Sequence, residues 1–275
     1  RRRRSADRPF LEVQAQSSWL QFDIVRCDCR GSVLPRASGG CAGVALRYAL
    51  NMLEDESAIA AGLERVRALR EERSADPELA ARVTEIKRFQ HRRFANDYAQ
   101  LLASERYGAA ARFFLNDLYG PVDFSARDAQ FSRIVPALRR LLPDELVRTV
   151  EQLIELHALS ESLDQAMAHC IGPGPVEAAA YVSAWRQVGR EPDRLRQVEL
   201  VLDVGRALDR HTRKPFLATT LRLMHGPAHA AGLGELQAFL QDGFTAFKTM
   251  KGAGEFLNTI AENERRQIDA LFSMG

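Results

Sequence analysis

The chain has 275 residues, of which 46% are hydrophobic and 27% charged, as in ordinary globular proteins. No stretch approaches the roughly 18 consecutive apolar residues of a membrane span and no secretory signal is recognisable, so we expect a cytoplasmic protein with no membrane partner. Residues 1–51 hold nine arginines against four acids, a net +5, whereas the whole chain is +2. The rest of the chain therefore gives no electrostatic case for nucleic acid, and we expect no nucleic-acid partner.

The first 51 residues differ in character from the rest of the chain. The first methionine is Met52, and the segment before it shows neither sustained helical nor sustained strand periodicity. We therefore expect residues 1–51 to be a non-native or disordered N-terminal extension, with the native chain beginning at or near Met52. A genuine but disordered N-terminal tail is the alternative interpretation.

From Met52 onward, apolar residues recur at helical spacing, and no strand-like alternation bounded by turns is found. These patterns predict helices over 57–73, 77–101, 109–118, 125–141, 144–169, 176–188, 192–211, 215–224, 234–250 and 254–272. No internal repeat of fixed period occurs, which argues against a solenoid. The sequence therefore predicts an all-α protein, a multi-helix bundle of about eight to ten helices.

Several predicted helix ends carry specific signals. Asp76–Pro77 is typical of an N-cap followed by a first-turn proline. Ser125 with Asp128 three residues later predicts a capping box, at the start of a helix that Pro136 is expected to kink. Gly172–Pro175 is the clearest breaker after Met52, so any division of residues 52–275 into two subdomains is expected near 172–175.

The stretch from Arg112 to Asp128 is the densest concentration of aromatic and charged residues. It places four Phe or Tyr, three Asp and two Arg around the corner at Gly120–Pro121. Functional residues often lie on a tight loop held by rigid helices, which would make this corner a binding site. A structural interpretation is equally concrete: the aromatic side chains would anchor the corner, Asp123 or Ser125 would cap the next helix, and Arg127 would pair with an acid.

The same corner carries a resemblance to a protein family. The run FFLNDLYGPVDFSARDAQF, with later segments such as LIELHALSESLD and LMHGPAHAAGLGELQAFLQDGF, resembles the signature (FFLxxLYGPxDFxxRD) of an uncharacterised bacterial family of all-helical proteins. The likeness spans about Leu63 to Phe272 and leaves residues 1–50 uncovered. Family members typically carry Glu where this chain has Asn116. The family has no assigned activity, so the resemblance implies a helical fold and no catalytic role for any residue.

His157 and Glu161 are four residues apart on one predicted helix, a spacing that puts both side chains on the same face. The imidazole is then either a metal or haem ligand oriented by the carboxylate, or a histidine at the edge of the core with an ordinary partner. No Glu-x-x-His pair accompanies it, which argues against a di-iron site. His225 and His229 have the same spacing, but Gly226–Pro227 is expected to prevent a continuous helix from presenting both rings together.

The remaining chemistry-bearing residues give weaker signals. Five basic or imidazole side chains fill about two turns of one helix: Lys87, Arg88, His91, Arg92 and Arg93. They could contact phosphate or an acidic partner, although a solvated helix face is the simpler interpretation. Cys170 is interpreted as a small apolar filler, and the four cysteines do not form a disulfide framework.

No phosphate-binding glycine loop, serine nucleophile elbow or zinc-protease motif occurs, so the sequence gives no sign of an enzyme and predicts neither a cofactor nor a metal. Two functions stay open. The first is a non-enzymatic, helical protein-interaction or regulatory module with a protein partner. The second is a small-molecule or tetrapyrrole-binding protein, with or without enzymatic activity, whose pocket lies near the 112–128 corner and the His157 helix. The candidate ligand-binding residues are Tyr119, Asp123, Arg127, Asp128 and His157.

Overall fold

The computed structural model describes the backbone of residues 41–118 and 120–273, and the side chains of residues 58–118, 120–136 and 142–273. Within these ranges the chain forms eleven α-helices and one π-helical turn, and no strand. The prediction of an all-α, multi-helix bundle is therefore confirmed, with one helix more than predicted because 77–101 divides into two. Residues 1–40 lie outside the described residues, and residues 41–51 belong to the first helix, Cys41–Ala75, which begins before the predicted 57–73. That residues 1–51 are a non-native or disordered extension and that the native chain starts near Met52 stay predictions.

The helices follow one another with short connections. The first six and the π-helical turn are α1 (Cys41–Ala75), α2 (Pro77–Asp97), α3 (Ala99–Ala103), α4 (Gly108–Phe113), the π-helical turn (Phe114–Leu118), α5 (Ser125–Leu141) and α6 (Asp144–Cys170). The last five are α7 (Ala178–Val188), α8 (Glu191–Thr212), α9 (Pro215–Ala230), α10 (Gly234–Met250) and α11 (Gly254–Ser273).

Helix α6 lies at the centre of the bundle, where it packs against α2, α5, α7 and α8. The larger core cluster gathers apolar side chains from α2, α6, α8, α10 and α11, among them Leu79, Met167, Leu200, Phe247 and Phe256. Each fully buried side chain of this size contributes about 2 kcal/mol through the hydrophobic effect. Residues 45–275 belong to one compact unit that includes the Gly172–Pro175 connector, and the subdomain division there stays a prediction.

The predicted cap of α2 is present. The Asp76 carboxylate accepts hydrogen bonds from the backbone N–H groups of Glu78 and Leu79, both at 3.0 Å, and Pro77 occupies the first turn. Two otherwise unpaired N–H groups of the helix start are thereby satisfied.

The start of α5 differs from its prediction. Asp123, ahead of the helix, accepts hydrogen bonds from both the backbone N–H and the hydroxyl of Ser125, each at 2.8 Å. Asp128 makes no capping box; its carboxylate is bonded to Arg70 and His157 on two other helices. The capping-box prediction was wrong because Asp123 already satisfies the helix start, leaving Asp128 free for tertiary contacts.

The expected break at Gly226–Pro227 was also wrong, because α9 continues through it to Ala230. The rings of His225 and His229 consequently lie with their centroids 4.5 Å apart. Proline removes one helical hydrogen bond, to the carbonyl four residues earlier, which belongs to Leu223. Leu223 is 72% exposed, so water can reach this turn of the helix and satisfy that carbonyl.

Candidate functional site

A row of polar side chains lies along the side of α6 that faces α2. It consists of His157, Glu161 and Asp164, spaced by four and three residues, which is the repeat of one helix face. All three line one cavity of about 20 Å³, together with Lys87 and Gln90 of α2. The prediction that His157 and Glu161 share a face is therefore confirmed for these described residues.

Asp128 connects this row to α1 and α5. Its Oδ2 lies 2.8 Å from His157 Nε2 and accepts a hydrogen bond from Arg70 Nη2 at 2.7 Å. The residue is only 9% exposed, and burial by itself raises the pKa of a carboxyl group. The hydrogen bond with His157 and the charge of Arg70 outweigh that effect and lower the pKa of Asp128 to about 2. Asp128 is thus a firmly ionised group held between two helices.

Glu161 is held in the same way one turn further along α6. Arg73 Nη2 lies 2.8 Å from its Oε2, and the ammonium group of Lys87 donates a hydrogen bond to its Oε1. Burial raises the pKa of Glu161, but the charges of Lys87 and Arg73 prevail and lower it to about 2. The residue is therefore an ionised carboxylate in the core, neutralised by cations from α1 and α2.

Asp164 differs from these two carboxylates. Gln90 Nε2 donates to its Oδ1 at 2.9 Å, but no cation forms an ion pair with it among the described residues. Burial therefore dominates and raises the pKa of Asp164. Gln90 also lies 3.5 Å from the hydroxyl of Tyr181 on α7, whose pKa is likewise raised by burial.

A cavity of about 80 Å³ lies beside the Asp128–His157 pair. Its wall is mostly apolar and comes from α5, α6 and α10; the lining side chains include Phe131, Val150, Leu153, Ile154, Leu236, Phe239 and Leu240. The polar lining consists of Arg127, Asp128, His157 and Ser160. Leu240 is 40% exposed, so the cavity reaches the surface at this residue. An apolar pocket with a few convergent polar groups is the usual form of a small-molecule site.

Arg127 closes one side of this cavity. Its guanidinium stacks between the rings of Phe124 and Phe239, with Cζ 4.0 and 4.5 Å from the ring centroids. Its Nη1 donates to the carbonyl of Asp117 at 2.8 Å, and its Nε lies 3.5 Å from Asp128 Oδ1. Burial lowers the pKa of Arg127, but the aromatic faces and the carboxylate stabilise its charge.

Three of the five candidate residues named from the sequence are thus brought together, since Arg127, Asp128 and His157 line one cavity. Asp123 is not among the lining residues and caps α5, as the structural interpretation of the corner expected. Tyr119 lies outside the described residues.

Sequence reasoning missed three cations that hold the row: Arg70, Arg73 and Lys87. Arg70 gave a signal, since it falls on the apolar stripe of α1, four residues after the buried Val66. Lys87 and Arg93 are also the exceptions to the interpretation of 87–93 as a solvated face, because both pair with acids of other helices.

Among the residues that the structure describes, no three or more His, Cys, Asp or Glu are grouped as metal ligands would be. Within the same part of the chain, no helix combines the length and the apolar character that crossing a membrane requires. The fold and the site define an all-helical protein with a buried ionic row beside a largely apolar cavity.

The chain belongs to the family described as Domain of unknown function (DUF8198), whose model matches residues 69–275. Membership in an uncharacterised family is thereby confirmed, and the family adds no activity to what the site itself indicates. No curated protein and no solved structure is significantly similar to this chain.

Proposed function

We propose that this protein binds a small, uncharged organic molecule in the cavity between α5, α6 and α10. The observation that carries the proposal is the pairing of Asp128 with His157 at the polar side of an otherwise apolar cavity. Polar groups that converge on an apolar pocket orient a ligand, while the apolar wall supplies most of the affinity.

The charges around the cavity favour an uncharged ligand. Asp128 pairs with Arg70, and Arg127 lies beside Asp128 and also interacts with the charge of Asp117, so two cations face two carboxylates. No side chain of the lining is left as an unbalanced ion, so a charged ligand would pay for desolvation without a counter-charge. A hydroxyl or carbonyl group that exchanges hydrogen bonds with His157 or Arg127 fits this environment.

The volume limits what can enter. A dry cavity of roughly 150 Å³ is known to hold benzene, so about 80 Å³ accepts a small ring only partly or after modest side-chain movement. Such a volume favours a ligand much smaller than a tetrapyrrole, whose rings would have to displace helices. The rest of a larger ligand would leave the cavity beside Leu240.

Binding is better supported than catalysis. Ser160 is the one hydroxyl among the polar lining residues, and it donates to the Leu156 carbonyl while accepting from Gln197 Nε2 at 2.7 Å. Its hydroxyl is therefore engaged structurally, and it makes no hydrogen bond to His157 of the kind that activates a nucleophile.

The test is NMR detection of binding with phenol, benzyl alcohol and cyclohexanone as probes. At least one probe should bind the wild type and compete with the others, and Leu153→Trp, which fills the cavity, should abolish that binding. Leu195→Trp is the matched control, because Leu195 is 37% exposed and does not line the cavity. Unchanged probe binding in Leu153→Trp would refute the proposal.

A second candidate, the protein-interaction module, is favoured by the outer face of α9. Phe216, Leu223 and Met224 are 55%, 72% and 48% exposed, and their spacing of seven and eight residues puts them on one face. The neighbouring groove between α9 and α10, about 390 Å³ in volume, is lined by Leu221 and Phe244.

The positive charge of the groove indicates what kind of protein segment would bind there. Arg222 and Lys248 line it, and its lining contains no acid. The fitting partner is an acidic amphipathic segment whose apolar residues enter the groove. A fluorescent Leu/Glu-rich helical peptide should bind with an affinity that falls with salt, while its Leu/Lys counterpart should not. Equal binding of the two peptides, or full retention of binding by Leu221→Asp, would argue against this candidate.

A further inference from the structure

A second cavity of about 80 Å³ lies between α2, α7, α8 and α11 and shares no lining residue with the first. Its polar lining consists of Gln90, Arg93, Tyr181, Trp185, Arg194, Gln197 and the carboxylate Glu264, which pairs with Arg93. The inference drawn from this cavity does not depend on the proposed function. Among the described residues, the most buried cation without a counter-ion lies in its lining.

Arg194 is that cation. It is 2% exposed, and its Cζ lies 3.6 Å above the ring of Trp185. Its Nε and Nη2 have no hydrogen-bond partner, and no carboxylate forms an ion pair with it among the described residues. Burial accordingly lowers the pKa of Arg194. A buried guanidinium is normally paired with a carboxylate, because an uncompensated charge in the core is strongly unfavourable.

The nearby acids are hydrogen-bonded to other side chains. Asp193 receives a hydrogen bond from Arg190 Nε at 2.6 Å on the surface, and Glu264 is bonded to Arg93 and to the Tyr98 hydroxyl. Asp164 forms no ion pair with Arg194, and its Oδ1 accepts a hydrogen bond from Gln90 Nε2 at 2.9 Å. The positive charge of Arg194 is therefore left for a group from outside the chain.

Two further buried N–H groups, on residues that line the cavity, lack hydrogen-bond partners. They are the indole Nε1–H of Trp185 and the Nε–H of Arg93. Each buried unsatisfied donor is costly, and the concentration of four such donors on three residues of one small cavity is unusual. A ligand with several acceptor oxygens would satisfy them together.

The pair of atoms left open on Arg194 indicates the chemistry of that ligand. The N–H bonds of Nε and Nη2 lie parallel on one edge of the guanidinium plane, where they match the two oxygens of a carboxylate. The walls contain the rings of Phe94, Phe114, Tyr181 and Trp185, which suit an apolar body. Only one unbalanced positive charge is present, which favours a monoanion over a phosphate dianion.

We propose that this cavity is a binding site for a small monocarboxylic acid with an aromatic or apolar body. Its carboxylate is held side-on by Arg194 Nε and Nη2, its oxygens accept from Trp185 or Arg93, and its body packs on the aromatic walls.

The test uses Trp185 as the reporter in the full chain, with Trp19→Phe removing the second of the two tryptophans. Benzoate is the probe, benzamide its uncharged counterpart and inorganic phosphate the competing oxyanion, all at constant ionic strength. Benzoate should change Trp185 fluorescence saturably, and benzamide should bind at least ~10-fold more weakly because it lacks the charge-assisted pairing. Equal affinity for both, or binding of phosphate in place of benzoate, would overturn the proposal.

Variants of the lining residues test whether benzoate binds in this cavity. Arg194→Lys keeps the charge but loses the two-pronged edge and should weaken benzoate binding by about 10- to 100-fold. Arg196→Lys is the matched control, since Arg196 lies on the same helix but pairs with Glu155 outside the cavity. If Arg194→Lys does not fold, Val198→Phe, which places a larger side chain in the cavity lining, should weaken benzoate binding by at least ~10-fold because it reduces the volume of the cavity. Wild-type affinity in a folded lining variant would refute the site. Arg194→Lys should leave the binding of uncharged probes beside His157 intact, so the two proposals fail separately.

Discussion

His157 Nε2 and Asp128 Oδ2 lie 2.8 Å apart, although the two residues belong to different helices and are 29 positions apart in the chain. With Arg70 on the same carboxylate oxygen, this contact ties α1, α5 and α6 together beside the first cavity. The residues that shape the proposed binding site are thus also those that hold the three helices in place.

Replacing Asp128 should therefore destabilise the protein. Asp128→Asn leaves Arg70 without its carboxylate in a largely buried setting, and we expect a loss of about 3 kcal/mol in the free energy of unfolding. Urea unfolding followed by circular dichroism measures it. Asp123→Asn is the control, because asparagine is a good N-cap and should cost less than about 1 kcal/mol. A smaller loss for Asp128→Asn than for the control would contradict this account of the contact.

Neutralisation should destabilise the protein much more at Glu161 than at Asp164. Glu161→Gln removes the counter-charge of Lys87 and Arg73 and should lower the free energy of unfolding by about 3 kcal/mol. Asp164→Asn keeps the acceptor for Gln90 and removes a carboxyl group whose pKa burial already raises, so it should cost less than about 1 kcal/mol. Thermal unfolding of both variants at pH 7 provides the comparison. Equal losses of stability would show that the ion pairs of Glu161 do not make it more important for the fold than Asp164.

Acid should weaken the fold through Asp128 and Glu161. Their folded pKa values of about 2 lie below the ordinary 3.8 and 4.5, so their stabilisation is complete above pH ~5 and is lost as the pH falls toward 2. The loss should be about 2 to 3 kcal/mol per carboxylate. Urea midpoints at pH 7, 4 and 2.5 test this, with Glu161→Gln expected to give a flatter profile. The same slope in that variant would assign the acid sensitivity to other groups.

Removing the charge of Arg194 should leave the free energy of unfolding nearly unchanged or raise it. Arg194→Met exchanges a buried, unpaired guanidinium for an apolar chain of similar length, and such replacements are often neutral or favourable. Arg73→Met, which breaks the ion pair with Glu161, should be destabilising by about 3 kcal/mol. Differential scanning calorimetry without added carboxylate distinguishes them. A large loss for Arg194→Met would mean that its charge is needed by the fold itself.

Local sequence patterns predicted the position of most helices. Asp76–Pro77 and the apolar repeat of α6 depend on neighbours within about four residues, and such signals survive in any tertiary context. The patterns failed at Pro227, where solvent exposure made a proline tolerable inside a helix, and at Asp128, where a distant histidine replaced the local cap.

By itself, the sequence determined an all-α fold, the face that His157 and Glu161 share, and the concentration of polar residues at the 112–128 corner. Only the tertiary structure decided which charges are paired. Asp128 meets Arg70 across 58 positions, Lys87 meets Glu161 across 74, and Arg194 meets no carboxylate among the described residues. The physical reason is that helix periodicity specifies which side of a helix a residue occupies, whereas an ion pair also requires the packing of a second helix at one particular height and rotation.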